Sequence, residues 1–140
     1  MKILLAADGS SFTKRALTFL VNNKNLLGAG DELLVLHVQD AISKHIERKL
    51  GSAEVVAYQT KQAEAVLKPI QKFLDKHAVN HRCIWVTGAA ALQIIEVSKR
   101  ERVKLIVMGA HGHGLLSRMF VGSVAQRVLA ESAIPSLLVK

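Results

Sequence analysis

Cysteine, aromatic side chains, long apolar runs and acidic residues are all scarce in this sequence. A single cysteine, Cys83, in 140 residues admits no internal disulfide and fits a reducing compartment. Six aromatic residues, one Trp and one Tyr among them, offer little surface for stacking nucleic-acid bases. No apolar run approaches the ~18 residues of a membrane-spanning helix. Residues 1–7 carry a lysine and apolar side chains, as a secretory signal does. Asp8 stops that run after five apolar residues, short of the roughly 7–15 of a signal core. A cytoplasmic protein is the expectation. Eleven Asp and Glu against nineteen Lys and Arg leave a net charge of +8. A basic balance suits phosphates, acidic partners or membrane surfaces. Nucleic-acid binders cluster their charge. Here it is spread along the chain, with short groups only at residues 44–49 and 99–104. Neither nucleic acid nor a membrane is the expected partner.

What is present is a globular composition, half apolar and 21% charged. The length holds one domain, residues 1–140, and a chain of this size hides roughly 68–70% of its unfolded surface. No repeat, low-complexity tract or linker interrupts it, and the polar stretch 39–51 reads as a loop.

Short apolar runs the length of buried strands fall at residues 2–7, 32–38, 82–86, 103–108 and 136–139, the last opened by Pro135. Helical spacing separates them. Ser10 or Ser11 can cap a first helix carrying Phe12, Ala16, Phe19 and Leu20. Ala53, Val56, Thr60, Ala63, Leu67, Ile70 and Leu74 line one face of a long second helix. Pro69 predicts a bend near residues 65–69. Ala91, Ile94, Ile95 and Ser98 make a short helix, and Val121, Val124, Ala125, Val128 and Leu129 the most regular one. Strands apolar on both faces, alternating with helices, specify an α/β fold: a single open, doubly wound, five-stranded parallel sheet with helices on both faces.

Ligands of such sheets sit beyond the carboxyl ends of the strands, where the strand order reverses. Two such ends stand out: Ala7-Asp8-Gly9-Ser10, and residues 109–123, which begin Gly109-Ala110-His111-Gly112-His113-Gly114 and close with Gly122-Ser123. Glycine lets a ligand approach the backbone, and Gly122-Ser123 opens a helix whose first N–H groups attract anions. The spacing of Gly109, Gly112, Gly122 and Ser123, G-x2-G-x9-G-[ST], resembles the nucleotide-binding signature of the universal stress protein A family. The opening Ile3-Leu4-Leu5-Ala6-Ala7-Asp8-Gly9-Ser10, the Leu36-His37-Val38 strand end, Val107-Met108-Gly109, and the closing Ile134-Pro135-Ser136-Leu137-Leu138-Val139 are similar to family segments too. The resemblance thus covers essentially the whole chain.

It implies a strand order of 3-2-1-4-5, with ATP, ADP or AMP between the ends of strands one and four. By matching position, it implies that Ala7, Asp8 and Val38 line the adenosine side. Met108 and Gly109 would then sit under the ribose, and Gly112, Gly122, Ser123 and Val124 would hold the phosphates. Asp8, acceptor-only when ionised, suits ribose hydroxyls or a Mg or Mn ion carried on the phosphates. Ala90, Lys104 and His113-Gly114 depart from the residues usual in the family. Arg118 either reaches the phosphates or is solvated. The resemblance also implies a homodimer through residues 136–139. There an edge strand with Leu137, Leu138 and Val139 would expose unpaired backbone unless a two-fold partner covers it.

Other chemistry finds less support. His111 and His113 lack third and fourth ligands for a metal. His37 reads as a core or rim histidine, and Cys83 and Trp85 share a strand face as core residues. The His111-Gly112-His113-Gly114 run only superficially resembles the adenylyl-transferase signature. There is no P-loop, no acidic pair of a phosphoacceptor domain and no nucleophile–base pair. The expectation is a cytoplasmic, nucleotide-binding regulatory or stress-response protein and not an enzyme. The rivals are a slow ATPase or nucleotide-transfer enzyme using the same pocket, and a nucleotide-independent interaction module.

Overall fold

In the computed structural model, which describes residues 1–111 and 121–140, the apolar runs become five strands: β1 (Lys2–Ala6), β2 (Glu32–Gln39), β3 (His81–Thr87), β4 (Leu105–Gly109) and β5 (Ser136–Val139). Every pairing is parallel and the order is β3-β2-β1-β4-β5. Five helices are described: α1 (Ser11–Asn22), α2 (Lys44–Leu50), α3 (Ser52–Lys76), α4 (Ala90–Arg100) and α5 (Ser123–Glu131). Alternation along β2 builds two cores. Leu33 and Val35 face α1 and α3, whereas Leu34 and Leu36 face α4 and α5. Each fully buried aliphatic side chain contributes about 1.5–3 kcal/mol. The edge strands β3 and β5 differ from the sequence expectation: β5 is only half-buried along its length, and β3 is half-buried between exposed Arg82 and Thr87.

Local chemistry explains where the helices begin and where the reading of the sequence is corrected. Ser10 caps α1, its Oγ accepting from Thr13 N at 3.5 Å. The stretch 39–51 is not all loop. Ser43 Oγ accepts from Ile46 N at 3.3 Å and starts α2, whose last turn carries Arg48 and Lys49. None of the residues in α2 is buried, so no apolar stripe marked it in the sequence. Helix α3 continues through Pro69, which lies on its exposed side, where one missing hydrogen bond does not end the helix. The inward stripe of its first half is Val55 and Gln59. Ala53 and Val56 are exposed instead, Val56 by 56%. Both stripes meet Ala63 one turn later. The Gln59 amide reaches Asp40 O at 3.5 Å, which makes a polar residue acceptable inside. On α5 only Ala125 and Val128 are buried. Val124 and Leu129, expected on the same face, are 38% and 47% exposed, and Phe19 of α1 is also exposed.

Cys83 and Trp85 pack half-buried against the α1/α3 core, and burial pushes the Cys83 thiol up to about 11. Helices α3 and α4 both end in left-handed residues that are not glycine, Ala78 (φ 52°) and Arg102 (φ 58°). In each the next N–H, of Val79 or Val103, returns to Leu74 O or Ser98 O. At the amino ends of the strands, Glu101 accepts from Arg82 at 2.6 Å and from Lys2 at 3.1 Å, and Glu32 lies 3.5 Å and 3.9 Å from the same two cations. Among the described residues no helix is long and apolar enough to cross a membrane.

Candidate functional site

Strand order puts β1 and β4 side by side at the centre of the sheet, with β2 flanking the first and β5 the second. The chain leaves β1 and β4 in opposite directions, which opens a crevice beyond their carboxyl ends. A cavity of about 310 Å³ occupies it.

The β1–α1 turn forms one wall. Gly9 takes a positive φ of 79°, which a glycine adopts without strain and which turns the chain into α1. Asp8 Oδ1 accepts from Ser10 N and from Thr13 Oγ1, both at 2.9 Å, while Thr13 Oγ1 accepts from Asp8 N at 3.2 Å. Thr13 therefore fixes both the backbone and the carboxylate of Asp8. Among the described lining residues Asp8 is the one carboxylate.

The β4 side is set by close contact. A Cβ on Gly109 would lie 2.5 Å from Phe12 Cβ, so only glycine lets the first turn of α1 press on this strand end. Beyond it, Ala110 N donates to Val139 O at 2.8 Å, and Gly122 N donates to Ala110 O at 2.7 Å. This last bond ties the start of α5 to the end of β4. Gly122 is the N-cap, and having no side chain it gives the first N–H groups of α5 no side-chain bond. His111 follows, its ring edge-on to Phe12 at 5.1 Å, with Arg15 5.0 Å over the Phe12 ring. The walls divide by element. Strand β2 and helix α4 supply only apolar side chains, Leu36, Val38, Ala90 and Ile94. The polar side chains come from the β1–α1 turn and the first turn of α1 (Asp8, Thr13), from the segment after β4 (His111) and from the start of α5 (Ser123).

Of the residues expected at the site, Ala7, Asp8, Val38, Met108, Gly109, Gly122, Ser123 and Val124 all line this cavity. Gly112, His113 and Arg118 lie outside the described residues. Sequence reasoning missed Thr13, although it stands three residues after the Ser10 cap, where a side chain can reach back over the turn. It also placed Ile94 only in a short helix; Ile94 belongs to the core shared with α5 and also lines the cavity. His37 is buried below the site, its Nδ1 2.8 Å from Ala7 O and its Nε2 3.0 Å from Gln39 Oε1.

Comparison with known proteins adds four findings. The sequence pattern of the universal stress protein family matches residues 1–140. Universal stress protein MJ0531 of Methanocaldococcus jannaschii is 30% identical over 141 residues, covering 99% of this chain and 81% of that one. The solved structure of MJ0577 from the same organism superposes with a TM-score of 0.83 at 30% identity, covering 99% of this chain and 94% of that one. A universal stress protein family member from Arabidopsis thaliana, solved with AMP bound, shares the fold at 20% identity with a TM-score of 0.72, covering 100% and 91%.

Proposed function

This chain belongs to the universal stress protein family, and on that premise we propose that it is a cytoplasmic, adenine-nucleotide-binding protein of stress response or regulation. The observation that carries this reading is convergence. Eight residues from the ends of β1, β2 and β4 and the start of α5, far apart in sequence, line one crevice at the switch point of the sheet. The same fold holds AMP in the Arabidopsis protein.

On this reading Ala7, Asp8 and Val38 take the adenosine, and Met108 and Gly109 underlie the ribose. Gly112, Gly122, Ser123 and Val124 receive phosphate at the start of α5, where backbone N–H groups and the helix dipole favour an anion. Asp8 suits the ribose hydroxyls or a Mg or Mn ion that arrives on the phosphates. The role is binding and not turnover. No nucleophile–base pair is formed by the described lining residues, and one oxygen of the Asp8 carboxylate, Oδ1, is held by Thr13 and Ser10. Two copies of the chain pair through β5, whose only strand neighbour among the described residues is β4.

Calorimetric titration with ATP tests the site. Gly122→Val puts a branched side chain at the start of α5 and should weaken binding by about tenfold or more, roughly 1.4 kcal/mol. Equal binding by the two proteins places the site elsewhere. A steady-state ATPase rate of about 1 per second that Gly122→Val abolishes would make the protein an enzyme. Light scattering of Leu138→Pro should report monomer where the wild type is a dimer.

A further inference from the structure

Regular pairing of β1 ends at Ala6, and Ala7 is where the chain leaves the sheet for the site. Its N–H still donates to Leu36 O at 2.8 Å. Its carbonyl is held by a side chain instead of a strand: His37 Nδ1 lies 2.8 Å away. The other ring nitrogen, Nε2, lies 3.0 Å from Gln39 Oε1. His37 is only 8% exposed. Alternation along β2 puts it in the layer of Leu33 and Val35, behind the wall that Ala7 and Val38 present to the cavity. We propose that His37 is a positioning residue for the nucleotide site, clamping Ala7 ahead of Asp8, and that protonation of its ring tunes the affinity of that site. The inference rests on the adenine-nucleotide reading above.

The chemistry follows from counting donors. Both atoms facing the ring are oxygen acceptors. A neutral imidazole carries one N–H and can satisfy one of them; an imidazolium carries two and satisfies both. When the ring loses a proton, the Nδ1–H stays on Ala7 and Nε2 becomes an acceptor. Gln39 must then turn its amide over to donate. The clamp thus has two bonded states, with Gln39 as the part that moves and Val38 between the two residues. In the imidazolium the bond to Ala7 is charge-assisted and stronger, so the site is held most firmly at lower pH.

The elements packed on this layer bring no competing charge among the described residues. Helix α1 turns Thr13, Ala16 and Leu17 inward, and α3 turns Val55, Gln59 and Ala63 inward. Strand β3 sets Trp85 opposite His37. The charged groups next in sequence to the two clamped residues are Asp8, which follows Ala7, and Asp40, three residues after His37, where β1 and β2 leave the sheet.

Adenosine is the probe, because it lacks the phosphate that itself titrates near pH 6. Its affinity, measured by calorimetry across the range in which histidine titrates, should be about threefold or more tighter at the acid end for the wild type. His37→Gln should flatten that profile. Gln39→Glu, at a half-buried strand end and so the gentler change, should move its midpoint upward, because a carboxylate facing Nε2 favours the imidazolium. Nitrogen chemical shifts of the His37 ring, followed by NMR without ligand, should show the same midpoint and the same move in Gln39→Glu. A wild type that binds adenosine with no pH response, or a response that survives His37→Gln, overturns the clamp and leaves the nucleotide reading standing. A wild type that binds neither adenosine nor ATP at any pH overturns both.

Discussion

The two ends of the sheet are made by the same strands and handle polar groups in opposite ways. At the amino ends charges close on one another: Lys2 and Arg82 share Glu101 and Glu32, and the Met1 amine meets Asp31 at 2.6 Å. At the carboxyl ends the described cavity lining holds one carboxylate, Asp8. The other polar groups of that described lining are the hydroxyls of Thr13 and Ser123, His111, and the backbone at the start of α5, and the remaining side chains are apolar. A network whose donors and acceptors are consumed internally has little left for a ligand. Donors held in place by a turn beside a cavity have that capacity. Rigidity at the second end comes from hydrogen bonds and steric contact, where the first relies on ion pairs.

Changes at the carboxyl end should therefore cost most. Gly109→Ala forces a Cβ to within 2.5 Å of Phe12 Cβ, which is a backbone-anchored atom. It should destabilise the protein by about 1–3 kcal/mol in urea unfolding and weaken nucleotide binding with it. An unchanged unfolding midpoint would mean that α1 gives way and that this end is not rigid. Thr13→Val keeps shape and removes both bonds to Asp8. A loss of about 1–2 kcal/mol is expected, with Thr13→Ser restoring most of it, as read by the same unfolding assay and by calorimetry.

The amino end should respond less, and through pH. Hydrogen bonds from Arg82 first and Lys2 second hold the Glu101 carboxyl below its ordinary range. The folded protein thus binds that proton less readily than the unfolded chain does. The contribution is complete above the ordinary glutamate value of about 4.3 and is lost as pH falls through the lowered folded value. Glu101→Gln should lower stability slightly near neutral pH, by no more than about 1 kcal/mol for a partly exposed cluster, read as a small fall in Tm. The two melting curves should converge in acid; a difference that persists there would point to packing and not to charge. The smallest effect has the opposite sign. Ala78→Gly and Arg102→Gly relieve left-handed backbone at two helix ends, and each should raise stability by about 0.5 kcal/mol after the entropy cost of glycine is subtracted. Differential scanning calorimetry of the double variant would add the two.

Parts of this contrast were legible before any coordinates. The parallel sheet could be read because β1, β2 and β4 are apolar on both faces. A crevice at the end of β4 could be expected because three glycines and a serine stand at set spacing beside that strand end. Helix α2 was not legible, because a helix with no buried residue has no stripe. The start of α3 was misread by one residue, because apolar side chains lie on both candidate faces and only Gln59 contacting Asp40 separates them. The exposure of Val124 and Leu129 was hidden as well, since periodicity marks which side chains can be buried and not how wide the covering surface is.

The sequence by itself determined the alternation of strand and helix, the absence of an internal disulfide, and the two segments that would meet beyond the strand ends. Those are properties of residue type and spacing, which act locally. Only the tertiary structure decided that Thr13 grips Asp8, that Phe12 demands glycine at position 109, and that His37 holds Ala7 from the next strand. Each of these depends on which atoms approach within hydrogen-bonding or van der Waals distance once strands β2, β1 and β4 lie side by side. No local pattern encodes that proximity, because the partners are brought together only by the order of the sheet.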